Sequence, residues 1–172
     1  MNKIQIPSAP EGYRTINPFI ICEDAEAVIN FTIDVFNGSE TADAKTYDTD
    51  GLILHSEIKI GDSIVSIADR KPDWPYTPSL LQVYVDDIEY TLKKAEAHNA
   101  IVITKPTDFY GDLLARIKDK QGNLWWISQH VGEVEWTETE SADEQNSDSW
   151  APSKETIYIH DTLLDAMRNL GK

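Results

Sequence analysis

Leu80-Leu-Gln-Val-Tyr-Val-Asp-Asp87 reads as a short apolar strand that stops at an acid and gives way to a helical pattern. Asn17-Pro-Phe-Ile-Ile-Cys-Glu-Asp24 does the same, and Asp87 follows Asp24 by 63 residues. A strand-then-helix unit repeated at this interval predicts two copies of one small module. Two modules facing each other make a cleft, the usual place for a small molecule.

Working outward from the first copy, a strand is expected over Tyr13 to Cys22, which is rich in β-branched and aromatic residues. Asp24 is a natural N-cap, and Ala25, Val28, Thr32, Val35 and Phe36 form one helical stripe. Asn37-Gly38 ends the helix with residues that tolerate a left-handed backbone. Two strands flank the turn Asp48-Thr-Asp-Gly51, the second running from Leu52 to Ile60. Gly61-Asp62 signals a hairpin into Ser63 to Ala68. The order is β-α-β-β-β. Arg70 to Pro78 holds three prolines and reads as a linker.

The second copy has a strand over Leu81 to Val85 and a helix capped by Asp87 with the stripe Ile88, Thr91, Leu92 and Ala95. His98-Asn99 ends it. Three strands follow, over Ile101 to Thr104, Leu113 to Ile117 and Leu124 to Ile127, with a turn over Asp119 to Asn123 between the last two. From Gly132 to Ser149 acids dominate, and self-repulsion with little apolar surface predicts a flexible tether. Thr156 to His160 reads as a short strand. Asp161 then reads as the N-cap of an amphipathic helix with Leu163, Leu164, Met167 and Leu170 on its stripe.

Composition narrows the function. In 172 residues there are 15 basic and 30 acidic side chains, a formal net charge of −15. That balance argues against nucleic acid and against anionic membranes, which both need Lys/Arg clusters. The 41% of hydrophobic residues lies in the globular range. Cys22 is the single cysteine, so neither an internal disulfide nor a thiolate metal cluster is available. With no signal-like apolar N-terminus and no span-length apolar run, the expectation is a cytoplasmic protein.

Four stretches, in this order and spacing, resemble the vicinal oxygen chelate superfamily of glyoxalase I, bleomycin-resistance proteins and extradiol dioxygenases, and within it the PhnB-like branch. They are Asn17 to Ala25, Leu54-His-Ser-Glu-Ile-Lys-Ile-Gly-Asp-Ser63, Val83-Tyr-Val-Asp-Asp87, and Phe109-Tyr-Gly-Asp112 through Arg116, Asp119 and Gly122 to Trp125 and His130. The resemblance covers about Tyr13 to Val131. It implies an α+β fold in which two βαβββ modules, 13–69 and 79–131, form a curved mixed sheet around a cavity. The acidic linker 132–153 and a strand-and-helix extension, 154–172, complete the chain. It also implies a homodimer.

Enzymes of this superfamily hold a divalent metal with His or Glu side chains from the first and last strands of each module. The resemblance places those positions at Asn17, Ser66, Leu80 and Trp126, none a strong ligand for a hard or borderline cation. No cofactor is therefore expected, although a divalent metal remains the family's habit. The expected function is metal-free binding of a small molecule. Asn17, His55, Ser66, Gln82, Tyr84, Tyr110, Arg116, Trp126 and Ser128 are the candidate ligand-binding residues. An alternative is an enzyme with a relocated site at His55, Glu57 and His130, where His55 and Glu57 share a strand face. Another is an interaction module acting through the C-terminal helix. Trp125 and Trp126 must point to opposite faces, one under a helix and the other toward the cleft or a partner. Arg116 is expected to pair with Asp112 or to hold an anionic ligand. Cys22 is read as a buried, inert thiol.

Overall fold

The computed structural model describes residues 8–132 and 152–170, and the chain divides into two compact units, Met1–Ser79 and Leu80–Lys172. The expected acidic linker lies, from residue 133 to residue 151, outside the described residues.

Unit one runs β1 (Phe19–Cys22), α1 (Ala25–Phe36), β2 (Ser39–Glu40), β3 (Thr46–Tyr47), β4 (Ile53–Ile60) and β5 (Ser63–Asp69). The sheet order is β1-β5-β4-β2, with β3 also on β4. β1 runs parallel to β5, and β4 antiparallel to it. Two fragments, β2 and β3, take the place of the one strand expected after the helix. The expected strand from Tyr13 begins only at Phe19. Pro18 has no N–H to donate, and the Asn17 amide closes a turn, accepting from Arg14 N at 3.0 Å and donating to Arg14 O at 2.7 Å.

α1 buries Ala25, Val28, Ile29, Thr32, Val35 and Phe36 at helical spacing. Of its orphan N-terminal donors, Ala27 N bonds Asp24 Oδ1 at 3.0 Å and Ala25 N bonds Asp69 Oδ1 at 2.8 Å. Asp69 Oδ2 accepts from Ile53 N at 2.7 Å, so one carboxylate joins helix, β4 and β5. The helix ends on Asn37 with φ at 54°. Gly38 provides room: a Cβ there would stand 2.9 Å from Ile58 Cγ2.

Unit two runs β6 (Leu80–Tyr84), α2 (Ile88–Ala97), β7 (Ile101–Phe109), β8 (Asp112–Lys118), β9 (Leu124–His130) and α3 (Lys154–Arg168). Its order is β6-β9-β8-β7, with β6 parallel to β9. The repeat extends to the caps. Asp87 Oδ1 accepts from Tyr90 N at 2.8 Å, and Gln129 on β9 accepts from Ile88 N at 2.9 Å, as Asp69 on β5 does for Ala25. Both units are therefore α+β, each an open mixed sheet with a helix on one face, and in unit two α3 meets Arg116 and Thr104 on the face opposite α2.

β7 is longer than expected and passes Pro106. Its register slips between Val102 and Thr104 and again between Thr104 and Thr107, so the proline sits where the ladder is irregular. The hairpin into β8 turns on Tyr110 and Gly111, with φ at 48° and 84°, the doubly left-handed form that suits strand twist.

The C-terminal segment corrects the sequence reading. Thr156 to His160 is helix rather than strand, and Asp161 lies inside α3 rather than capping it. Ser153 is the N-cap, accepting from Thr156 N at 3.1 Å. The buried face is Ile159 and Ala166, while Met167 of the expected stripe is 44% exposed. The cause is tertiary. α3 packs on β7, where Lys105 N donates to Tyr158 Oη at 3.0 Å and the hydroxyls of Thr104 and Thr162 meet at 2.8 Å.

Candidate functional site

Strand alternation sorts each sheet into a helix face and an opposite face. In unit one, Ile20, Ile67 and Ile58 are buried on the α1 side. Phe19, Ser66 and Glu57 are register partners on the other side, with His55 two residues from Glu57. There Glu57 Oε1 accepts from Tyr13 Oη at 2.6 Å and lies 3.0 Å from His55 Nε2. The Phe19 ring meets His55 edge-on at 6.1 Å. The hydrogen bonds from Tyr13 and then His55 hold the Glu57 carboxyl below its ordinary value, and the bond to Glu57 holds the Tyr13 phenol above its own. Such a Tyr–carboxylate–His cluster can hold a proton and pass it between oxygen and nitrogen.

In unit two, Trp125 is fully buried on the α2 side, its indole N–H on Asp119 Oδ2 at 3.0 Å. Trp126 faces the other way. It aligns with Gln82 on β6 and Arg116 on β8, and Arg116 aligns with Thr104 on β7. One residue pair further, Tyr84 aligns with Ser128, and His130 with Asp112. Gln82 Nε2 donates to Ser128 Oγ at 3.0 Å. Tyr84 Oη donates to Asp112 Oδ2 at 3.0 Å, and His130 Nδ1 lies 2.8 Å from Asp112 Oδ1. The bond to Asp112 raises the Tyr84 phenol. Each unit thus carries its own Tyr–carboxylate–His cluster.

Several expectations change here. Arg116 does not pair with Asp112. It is 4% exposed, donates from Nη1 to the Ile159 carbonyl at 2.6 Å, and lies over the Trp126 ring at 4.7 Å. Among the described residues its Nε has no hydrogen-bond partner, and burial lowers the guanidinium to about 10. His130 bonds Asp112 within unit two, and His55 bonds Glu57 within unit one. Asn17 precedes the strand it was expected to occupy. Tyr110 sits in a turn, 61% exposed, its ring edge-on to Phe109.

Sequence reasoning missed Tyr13, Asp112 as the carboxylate of the unit-two cluster, and Thr104. Tyr13 is the expected start of a strand, and nothing in the sequence marks its phenol as a partner of Glu57. Asp112 carried a signal: a hairpin joining β8 to β9 through the turn after Asp119 sets it opposite His130.

The four positions that the resemblance assigns to a divalent ion are poor in ligating atoms. The Asn17 amide is spent on the Arg14 backbone, Leu80 has no donor atom, the Trp126 ring lies against a cation, and Ser66 offers one hydroxyl. Among the described residues no group of three or more His, Cys, Asp or Glu side chains could hold a metal ion. Also among the described residues, no helix is long and apolar enough to cross a membrane.

Among solved structures the chain is similar to a glyoxalase/bleomycin resistance protein/dioxygenase family enzyme from Burkholderia phytofirmans PsJN, at 19% identity and TM-score 0.56, covering 71% of this chain and 99% of that one. It is similar to the PhnB protein of Bacillus cereus at 18% identity and TM-score 0.53, covering 67% and 99%. The fosfomycin resistance protein FosX of Mesorhizobium loti follows at 16% and 0.50, covering 76% and 97%. No curated protein matches the chain in sequence. The sequence model of one family matches residues 15–127, most of both units, and the chain therefore belongs to the Glyoxalase/Bleomycin resistance protein/Dioxygenase superfamily.

Proposed function

We propose that this protein binds a small polar or aromatic molecule without a resident divalent metal, in the manner of the PhnB-like and resistance-type members of its superfamily. The observation that carries this reading is the face of unit two opposite α2. Gln82, Ser128 and Tyr84 share it with the Trp126 ring, and its one carboxylate–imidazole pair, Asp112 and His130, is a single bonded couple with Tyr84 on the carboxylate, which suits hydrogen bonding and stacking of a ligand better than holding a metal. The fold neighbour from Mesorhizobium loti is named as a fosfomycin resistance protein, and a sequestering role here is a proposal by analogy. A cytoplasmic homodimer belongs to the same proposal.

The test is elemental analysis of the purified protein after dialysis against zinc, nickel, manganese and iron, followed by a thermal-shift screen of small molecules. The expected result is no near-stoichiometric metal and a stabilising ligand. Stoichiometric retained metal would overturn the reading.

A second reading rests on unit one. The Tyr13–Glu57–His55 cluster has hydrogen-bond geometry suited to acid–base work, which keeps an enzyme in view. A turnover assay in which Glu57→Gln abolishes activity while the protein stays folded would favour it. The interaction-module reading is weaker, because the buried face of α3 is taken up by β7.

A further inference from the structure

Arg116 is the most unusual side chain in unit two. A guanidinium that is 4% exposed ordinarily faces a carboxylate, because an unpaired buried charge is costly. Among the described residues Arg116 has no acidic partner. Its named contacts are a helix carbonyl, Ile159 O at 2.6 Å, the Thr104 hydroxyl at 3.3 Å, and the π face of Trp126, and Nε is unpaired. The Ile159 carbonyl is neutral and already accepts the Thr162 hydroxyl at 3.2 Å. A charged oxygen in its place would bond about twice as strongly.

The element supplying that carbonyl buries few side chains. α3 has two buried side chains, Ile159 and Ala166, whereas α1 has seven. Ile157, Tyr158 and Met167 are exposed. What fixes α3 is chiefly polar: Arg116, the Thr104–Thr162 hydroxyl pair and the Tyr158 phenol.

We infer that Arg116, with Thr104 and Trp126, is a carboxylate-binding site that the C-terminal helix α3 occupies in the ligand-free protein, so that ligand and helix compete for it. This inference rests on the small-molecule reading above and names its ligand class and its control. A monovalent carboxylate fits better than a polyanion. The site offers one guanidinium, and the net charge of −15 repels multiply charged ligands at long range. A flat ring beside the carboxylate would find the Trp126 indole.

The test uses the full chain carrying Ala166→Cys, a mild change that puts a thiol on the docked face of α3; Cys22 is buried. The labelling rate of that thiol is read by mass spectrometry of the C-terminal peptide, with benzoate as the probe and benzamide as its uncharged counterpart. Benzoate at about ten times its dissociation constant for the undocked form is expected to raise the rate about tenfold, since it binds only that form. Benzamide should have no effect, and Arg116→Lys, which loses the fork, should abolish the response. Calorimetry on the unlabelled chain separates the two readings. Benzoate that binds without changing the labelling rate overturns competition and leaves the small-molecule reading standing. Neither binding nor faster labelling overturns the carboxylate site, and the thermal-shift screen then judges the small-molecule reading independently.

Discussion

Tyr13 and Glu57 are 44 residues apart in the chain, yet the phenol donates to Glu57 Oε1 at 2.6 Å. With His55 on the same oxygen, the folded carboxyl lies below its ordinary 4.5. A depressed carboxyl stabilises the fold above its unfolded value, and that contribution is lost as pH falls through the folded value. Melting temperature should therefore drop as pH goes below 4.5, and the drop should be shallower in Glu57→Gln. Circular-dichroism melts across this acid range check it, and identical slopes would count against the arrangement.

Asp119 is 4% exposed and collects four N–H groups. The backbone N–H groups of Gln121 and Asn123 reach Oδ1, and the Asn123 amide and Trp125 indole reach Oδ2, all at 2.9 to 3.0 Å. Burial pushes this carboxyl up, while the four donors pull it down. An asparagine would aim its own NH₂ at donors. Asp119→Asn should cost about 2 kcal/mol in urea denaturation. A cost under about 0.5 kcal/mol would place it with ordinary surface changes and contradict the account.

Gly38→Ala runs against the usual benefit of removing a glycine. The added methyl would meet Ile58 Cγ2 at 2.9 Å and the Thr32 carbonyl oxygen at 3.0 Å. Overpacking at this helix exit should cost about 1–3 kcal/mol, instead of the gain of about 0.4–1 kcal/mol that a roomy site would show. Equilibrium unfolding gives the sign directly.

Thr162→Val removes the hydroxyl that meets Thr104 at 2.8 Å while preserving shape. The helix should lose about 1 kcal/mol of docking free energy. Hydrogen exchange should quicken in α3 and stay unchanged in α2, since local opening need not involve the whole unit. Uniform acceleration would mean that α3 is integral to the unit.

Both long modules are legible in the chain because their signals are local. Asp24 and Asp87 sit one residue before clean apolar stripes, and both cap as their chemistry dictates. The opposed faces of Trp125 and Trp126 follow from strand alternation alone. What was not legible depends on contacts distant in sequence. Thr156-Ile-Tyr-Ile159 carries β-branched and aromatic residues that favour a strand, but packing on β7 outweighs that weak preference. Pro106 looks like a stop, and only the slipped register of β7 lets the strand continue. The partner of Arg116 is a backbone carbonyl, which no side-chain pattern announces.

The parallel pairing of first strand with last has a consequence for how the chain is made. Among the described residues β1 pairs only with β5, and β6 only with β9. During synthesis, β1 therefore emerges with no template and must wait for about forty more residues, until Ser63 to Asp69 have left the ribosome. Its backbone is unpaired throughout that interval, and the same delay recurs between Leu80 and His130. Each module is closed by its final strand, so a nascent chain or fragment that stops in the last hairpin of either module leaves that module's opening strand without a partner.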